Sequence, residues 1–530
     1  MKQFFIESIG LATGSIQLKH DQVVAIVGSN STGKSALLSS IYAALGGNEK
    51  YKRESQLQGI TLARDNSDDE LANFLRSSVK IDGAEIRWKG ERVHIGGDPE
   101  EAIRLWASTQ GAHTILNRAL IDYISASQRL EAAKNVKQID LLNEHPSHPF
   151  HMLYKAPEIE RRLSDLSRMI FGTEVSLNPG AGSVLSMHVG PRVDPDQFGG
   201  DRTQEYGNQL ARLPVLEVQG DGVQATLGLL SKIVTSTAAC ILIDEPDLYM
   251  HPPQASELAR ALMEETKDKQ VFLATHSIRF LLGLFQSDRD RLKLLRLVRD
   301  GNGFSYHEVP NEVLRTVKAD PVLKFTNVLE ALFFGACVIC EDPADCLLFK
   351  TAMEKTTDLP RNESTFWIGA YGKQNLPKIA RIVRAMNTRT VCIADFDALS
   401  PTNNCYEKTL IPLFEILGGV AASLRASIES AHRSIDGNNR LDWKNIKNLG
   451  IRAFSPYPRI HRDFELILDE LLEVGIVVIP NGEMENVCDP SMESKGAEAV
   501  NEMLAMDIAN DPRLQGARDV CAKVATCIRR

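Results

Sequence analysis

The stretch Val23–Leu38, VVAIVGSNSTGKSALL, constrains this chain more than any other. A short apolar run, Val23–Val27, leads into Gly28-Ser29-Asn30-Ser31-Thr32-Gly33-Lys34-Ser35, and a helical pattern follows. This is G-x-x-x-x-G-K-S set between a strand and a helix, the context that a P-loop requires. Such a loop curls so that main-chain N–H groups, here from Gly28 and Asn30 to Gly33, point inward at a phosphate, with the positive end of the helix behind them. Lys34 is then expected to reach the β- and γ-phosphates of ATP, and the Ser35 hydroxyl to ligate Mg²⁺. An ordinary Gly/Ser turn would not need both flanking elements.

A second cluster lies two hundred residues on. The apolar strand Ala239–Ile243 (ACILI) ends in Asp244-Glu245-Pro246-Asp247. An acidic pair at the C-terminal end of a buried strand suits a Walker B role, with Asp244 on Mg²⁺ and Glu245 polarising the attacking water. Upstream, Gly220-Asp221-Gly222-Val223-Gln224 opens a helix; downstream, the strand Val271–Ala274 runs into Thr275-His276-Ser277. Singly, these are a strand-end turn and a core histidine. In this order behind a P-loop they form one set, which resembles the ABC-type ATPase head rather than an AAA+ ring subunit or a helicase. The resemblance implies two heads sandwiching two ATPs. Gly220–Gln224 of one would face the γ-phosphate held by Lys34 of the other, Asp247 would lie at the seam, and His276 would contact the γ-phosphate. GDGVQ departs from the usual S-G-G-Q-like form, which leaves the roles of Gly220, Asp221 and Gly222 less defined. Gln128, in YISASQRLEAA, is the candidate for the glutamine that senses the γ-phosphate.

At 530 residues the chain exceeds one core, and roughly 150 residues per domain suggests two to four domains. No apolar run approaches the roughly 20 residues that span a bilayer, and Glu7 interrupts any signal-like start. Nine cysteines scattered through apolar segments point to a reducing cytoplasm; Cys337 and Cys340 read as part of a buried strand rather than as metal or redox ligands. Residues 48–100 are polar with one hairpin at AEIRWKG-ERVHIGG, helical periodicity dominates Glu100–Leu142, and PEIERRLSDLSRMIF is an amphipathic helix. With no heptad array, the insertion at about 100–205 reads as a compact helical lobe within an ATPase domain of residues 1–315.

Past residue 315 the pattern restarts as β–α alternation, hence a smaller parallel-sheet domain over 320–530. The strand ACVIC runs into Glu341-Asp342-Pro343-Ala344-Asp345, the strand TVCIA into Asp395-Phe396-Asp397, and VGIVVIP into Asn481-Gly482-Glu483-Met484-Glu485. Carboxylates gathered at strand C-termini sit where open α/β sheets bind ligands, and oxygen-only donors suit Mg²⁺ or Mn²⁺. Two such metals would align a water against a phosphodiester. A strand-end Glu followed by D-x-D resembles a Toprim domain, although Asp342 stands where that motif commonly has Gly.

An ABC-type ATPase followed by such a domain resembles the overcoming-lysogenization-defect (OLD) nucleases over most of the chain, with YGKQNLPKIA and GEMEN adding to the match. The resemblance implies a DNA endonuclease or nickase, often in anti-phage defence, assembling as dimers or larger through the ATPase half. By motif, Glu341, Asp345, Asp395 and Asp397 would bind metal, with Glu483 or Glu485 completing the site, and Lys495 would stand near the scissile phosphate. The net charge of −9 requires any DNA surface to be local. Two basic groups are candidates: Arg289, Arg291, Lys293, Arg296 and Arg299, and Lys373, Lys378, Arg381, Arg384 and Arg389. The alternative is an ATP-switched sensor or scaffold that holds a partner effector, its Toprim-like half non-catalytic. A chromosome-maintenance type of repair ATPase would need a long coiled-coil arm.

Overall fold

In the computed structural model, the described residues are 4–30, 32–46, 57–64, 67–78, 80–82, 85–88, 91–94, 98–108, 114–140, 144, 146–180, 183–200, 203–288, 290–300, 303–357, 365–436 and 441–529. The chain divides into two compact units, Met1–Asn311 and Glu312–Arg530.

The first unit is built on a six-stranded sheet in the order Gly303–Val309, Leu292–Asp300, Val23–Val27, Gln270–Ala274, Cys240–Asp244, Ile121–Ile124. All neighbours are parallel except the edge hairpin of Leu292–Asp300 with Gly303–Val309. Helices cover its faces, so the central strands are buried on both sides and read as unbroken apolar runs; every residue of Val23–Val27 is buried. A smaller antiparallel sheet of Gly14–Gln17, Phe5–Leu11 and Leu57–Ala63 packs onto this core. The buried Gln270 joins the two: its carbonyl accepts from the Ile6 N–H at 2.9 Å and its amide donates to the carbonyls of Ile6 and Lys19 at 2.9 and 3.0 Å.

The strand Ile121–Ile124 corrects the helical reading of residues 100–142. Its four residues, IDYI, lie between a 3₁₀ turn and the helix Ala126–Ala132, too short to show a two-residue period. The polar stretch from 48 to 100 likewise carries more than the expected hairpin Glu85–Trp88/Glu91–His94: it also holds the strand Leu57–Ala63 and the helix Asp68–Ser78. The amphipathic helix falls at Pro157–Phe171.

The second unit has a four-stranded, all-parallel sheet in the order Thr365–Gly369, Ala336–Cys340, Arg389–Ala394, Ile476–Val478. Cys337 and Cys340 are buried within the strand Ala336–Cys340. Between the third and fourth strands runs a helical stretch that includes Ala421–Asp436, Trp443–Leu449 and Pro458–Glu473. Its aromatic core reaches the D-x-D loop, where Phe396 is fully buried with ring centroids 6.3 Å from Phe454 and 5.8 Å from Phe464. The middle residue of Asp395-Phe396-Asp397 therefore anchors a turn whose two acids serve another purpose. No helix of the described residues is long and apolar enough to cross a membrane.

Candidate functional site

Each unit carries a cluster at the C-terminal edge of its parallel sheet. In the first, Val23–Val27 ends at Gly28, which has φ +149° and where a Cβ would stand 2.4 Å from the Leu297 carbonyl oxygen. Only glycine fits that turn. Gly33 caps the helix Lys34–Ala44 in a left-handed conformation, and the Thr32 hydroxyl donates to the Ser29 carbonyl at 2.8 Å. Asn30 is exposed on the loop, and Ser31 lies outside the described residues. The buried Lys34 ammonium folds back onto its own loop, donating to the carbonyls of Gly28 at 3.0 Å and Ser29 at 2.9 Å. Burial lowers its pKa to about 8, against the opposing pull of Glu245 and Asp244.

Asp244 ends the neighbouring strand but one, and Ser35 Oγ donates to its Oδ1 at 2.9 Å. Two residues 209 positions apart thus meet as the P-loop reading requires. Glu245 has φ +48°, its N–H donating to the Ala274 carbonyl at 3.0 Å, and its Oε1 lies 3.8 Å from His276 Nε2. Burial and the nearby Lys34 charge push the His276 pKa down to about 4, so the ring is neutral at pH 7. Asp247 accepts from the Thr275 hydroxyl at 2.6 Å, while burial holds its carboxyl above the ordinary range. Gly220 caps the helix Asp221–Thr235, with Asp221 and Gly222 in the first turn; Gln224 turns inward, donating to the carbonyls of Glu217 and Gln219.

Gln128 closes a capping box, its side chain accepting from the Ser125 N–H at 3.2 Å, so it is held at the start of its helix rather than reaching outward. Its neighbour Arg129 was absent from the sequence reading. Fully buried, it donates to the carbonyls of Asp244 and Pro246, both at 3.2 Å, and so pins the acidic loop to the helix bearing Gln128. Its only sequence signal is adjacency to Gln128.

In the second unit, carboxylate oxygens of Glu341, Asp395 and Asp397 lie within 4.8 Å of one another. Glu341 follows one central strand and accepts from the Asp395 N–H at 3.1 Å, which ties the ends of adjacent strands together. Burial raises the Glu341 carboxyl to about 7, with the charges of Asp397 and Glu483 adding to the rise. Burial and neighbouring carboxylates drive Asp395 upward as well. Asp397 Oδ1 is buried without a hydrogen-bond partner. Three converging carboxylates with one orphaned oxygen fit a hard divalent cation, which would satisfy that oxygen and relieve the crowded charge.

The other predicted ligands take different positions. Asp345 stands nearby with its carboxyl raised to about 7 by burial, but one oxygen accepts from the Asp342 N–H at 3.0 Å in a helix capping box. Glu485 likewise accepts from the Gly496 N–H at 2.8 Å. Asp345 and Glu485 are thus outside the convergent trio, since each serves a helix start. Glu483 Oε1 pairs with Lys447 at 2.7 Å, and its Oε2 lies 3.4 Å from Lys495. Lys373 donates to Asp397 Oδ2 at 2.5 Å, and Lys447 lies 3.8 Å from the same oxygen. Lys447 went unnoticed in the sequence because it comes from a helix with no motif.

The first basic group is divided between buried and exposed positions, with Arg299 exposed over the Phe304 ring. Arg291 and Arg296 are buried, Arg291 bonding the carbonyls of Asp21, Met263 and Thr266, and Lys293 pairs with Glu308 at 2.8 Å. Arg289 is outside the described residues. In the second group, Lys378 pairs with Asp320, the Arg389 guanidinium bonds the Ile528 carbonyl, and Arg381 and Arg384 are exposed.

Residues 23–282 match the family model described as "AAA domain, putative AbiEii toxin, Type IV TA system", and residues 332–397 match "Overcoming lysogenization defect protein-like, TOPRIM domain". With the strand order and the two acidic edges, these matches define an ATPase head joined to a Toprim domain. A curated relative, the Old nuclease of Escherichia phage P2, is 24% identical over 257 residues, 47% of this chain and 43% of that protein. These matches support an ATPase–Toprim protein of the OLD type, and the chain spans less than half the length of that curated relative. Among solved structures, an SMC head bound to the C-terminal winged-helix domain of ScpA matches at 14% identity and TM-score 0.36, over 59% of this chain and 99% of that one. The SMC head of Thermotoga maritima matches at 15% and 0.30, over 58% and 98%.

Proposed function

We propose that this chain is an ATP-regulated, metal-dependent DNA endonuclease or nickase of anti-phage defence, working as a dimer or larger assembly of its ATPase heads. The observation that carries the reading is the convergence of Glu341, Asp395 and Asp397, with Asp397 Oδ1 buried and unpartnered, in a chain that also joins Ser35 to Asp244.

In the head, Lys34 would exchange the Gly28 and Ser29 carbonyls for the β- and γ-phosphates of ATP, and Ser35 and Asp244 would hold Mg²⁺. Glu245 orients water and the neutral His276 contacts the γ-phosphate. Gly220–Gly222 of a second copy face the same phosphate, with Asp247 at the seam and Gln128 reporting on occupancy once freed from its cap. In the Toprim domain, Glu341, Asp395 and Asp397 would hold Mg²⁺ or Mn²⁺, with Glu483 and Asp345 close by. Bound there, such ions align an attacking water and stabilise the leaving oxygen of a phosphodiester. Lys373, Lys447 and Lys495 present positive charge to the DNA phosphate, as point charges rather than bidentate clamps. Closure of two heads on ATP repositions the attached Toprim domains, and hydrolysis resets them.

The test is a supercoiled-plasmid assay in Mg²⁺ or Mn²⁺, with and without ATP, on the full chain. Nicking is expected from the native protein, lost in Glu341→Ala, and altered in its ATP response by Lys34→Ala and Glu245→Gln. Intact ATP hydrolysis with no cleavage of plasmid, phage or modified DNA would replace this reading with the ATP-switched scaffold.

A further inference from the structure

Beside the acidic edge, two large aromatic rings stand in solvent and touch each other. Phe325 is 71% exposed and Tyr371 46% exposed, with ring centroids 5.3 Å apart in an edge-to-face arrangement. Single exposed apolar side chains need no explanation, but a paired aromatic surface at a candidate active site does.

Both rings are held in place. Tyr371 has φ +55° in the loop after Thr365–Gly369, where the Asn375 amide donates to the carbonyls of Ala370 at 2.9 Å and Tyr371 at 3.2 Å. The next residue, Gly372, donates its N–H to the Glu341 carbonyl at 2.9 Å, and the residue after that, Lys373, reaches Asp397. Consecutive Cα atoms are about 3.8 Å apart, so Tyr371 is fixed one residue's length from a main-chain contact with Glu341. Phe325 ends the helix Pro321–Phe325, which Asp320 caps through the N–H groups of Val322 and Leu323. Asp320 also pairs with Lys378 on the helix Leu376–Ala385, the helix that follows the Tyr371 loop. The exposed Lys324 precedes Phe325 directly in the chain, and Lys373 follows Tyr371 by two residues.

We infer that Phe325 and Tyr371 form a stacking platform for an unpaired base next to the scissile phosphate, so that the favoured substrate is DNA with a single-stranded or unpaired segment. A base inside a duplex hides its faces between neighbours and shows only its edges, whereas an unpaired base offers a π-face to an aromatic ring. Lys324 beside Phe325 and Lys373 beyond Tyr371 supply positive charge for the phosphates of such a strand. The inference rests on the reading of the acidic edge as the DNA-cleaving centre, and it adds which DNA that centre takes.

The experiment measures binding without cleavage. Fluorescence anisotropy in EDTA, at fixed salt, compares a single-stranded oligonucleotide, a duplex and a duplex with a central unpaired loop, using the full chain. 2-Aminopurine in the single strand reports stacking by quenching. Tyr371→Ala and Phe325→Ala should each weaken single-strand and loop binding about 5- to 150-fold while leaving duplex binding within about twofold, and Tyr371→Phe should restore both affinity and quenching. Unchanged single-strand affinity, an equal loss for duplex, or absence of quenching overturns the platform. So does a change in the mass of the assembly with single-strand binding intact, which would make the rings a protein contact. Glu341→Ala should keep the quenching, so a failed metal-centre reading shows in the plasmid assay and a failed platform shows here.

Discussion

Gly228 lies on the helix Asp221–Thr235 where it crosses Ala126–Ala132, and a Cβ there would stand 1.9 Å from the Arg129 carbonyl oxygen and 2.9 Å from its carbonyl carbon. Two opposing effects decide the outcome of Gly228→Ala. A side chain in a helix interior favours folding by about 1 kcal/mol over glycine. Forcing backbone away from backbone costs about 1–3 kcal/mol. The obstacle here is main chain, which cannot rotate aside, so the upper end applies and the net loss is about 2 kcal/mol, or about 4 °C in Tm for a unit of this size. Gly207, in the helix Gln204–Leu210, has nothing within 4 Å of its would-be Cβ. Gly207→Ala should therefore gain about 0.5–1 kcal/mol. Differential scanning calorimetry of the two variants reads both signs. The displaced helix also carries Arg129, which holds the carbonyls of Asp244 and Pro246, so Gly228→Ala should lower ATP hydrolysis more than ATP affinity. A Gly228→Ala protein as stable as the native one, with Gly207→Ala behaving identically, would refute the close helix crossing.

ATP binding should weaken as pH rises above about 8, because the buried Lys34 loses its proton there and the triphosphate restores it; calorimetry in two buffers should show proton uptake at pH 9, and a flat affinity from pH 7 to 9 contradicts this. Glu341 and Asp345 are both raised to about 7, so their contribution to metal-free stability is complete below the ordinary carboxyl range of about 4 and is lost as pH rises through 7. Divalent metal would displace the Glu341 proton, so thermal unfolding in EDTA and in excess Mg²⁺ should give different pH slopes between pH 5 and 8; identical slopes would count against metal binding at this edge. Lys447→Met removes a half-exposed partner of Glu483 and Asp397, worth about 1 kcal/mol, and should tighten Mn²⁺ binding about fivefold by calorimetry while lowering DNA affinity. Unchanged Mn²⁺ affinity would show that the lysine does not compete with the cation.

The ATPase half was legible wherever chemistry demands a local pattern. A P-loop must be contiguous, and an acidic pair must follow a buried strand, so Lys34, Ser35 and Asp244 stand out in the sequence, and the fold brings Ser35 and Asp244 into contact. What failed were readings that depend on partners distant in sequence. The strand Ile121–Ile124 owes its existence to the edge of Cys240–Asp244, since four residues carry no period of their own. The basic run from Arg291 to Arg299 looks like a solvated surface until the strand Leu292–Asp300 is laid beside Val23–Val27, which buries Arg291 and Arg296. Arg129 is the converse: a helix-surface residue by sequence, and by packing a clamp on the acidic loop.

The same division explains the acidic edge of the second unit. Glu341 and the pair Asp395 and Asp397 end adjacent parallel strands, and parallel register delivers strand ends to one side, so their convergence follows from the β–α alternation alone. Asp345 and Glu485 show where that logic stops. An acid at the third position of a helix answers first to unsatisfied main-chain N–H groups, and Asp345 does so at Asp342. Of the lysines at the cluster, Lys373 and Lys495 are named from their motifs, whereas Lys447 was illegible because its helix carries none. Their arrangement nonetheless has a physical consequence. Three carboxylates crowded within 4.8 Å repel one another, and in the metal-free protein Lys373 and Lys447 offset part of that repulsion. A cation at Asp397 would take over that work and release the Lys373 ammonium toward a bound phosphate, while Lys447 keeps its pair with Glu483. Metal binding and substrate binding at this edge are therefore expected to be cooperative, with the sign set by which charge the lysines face.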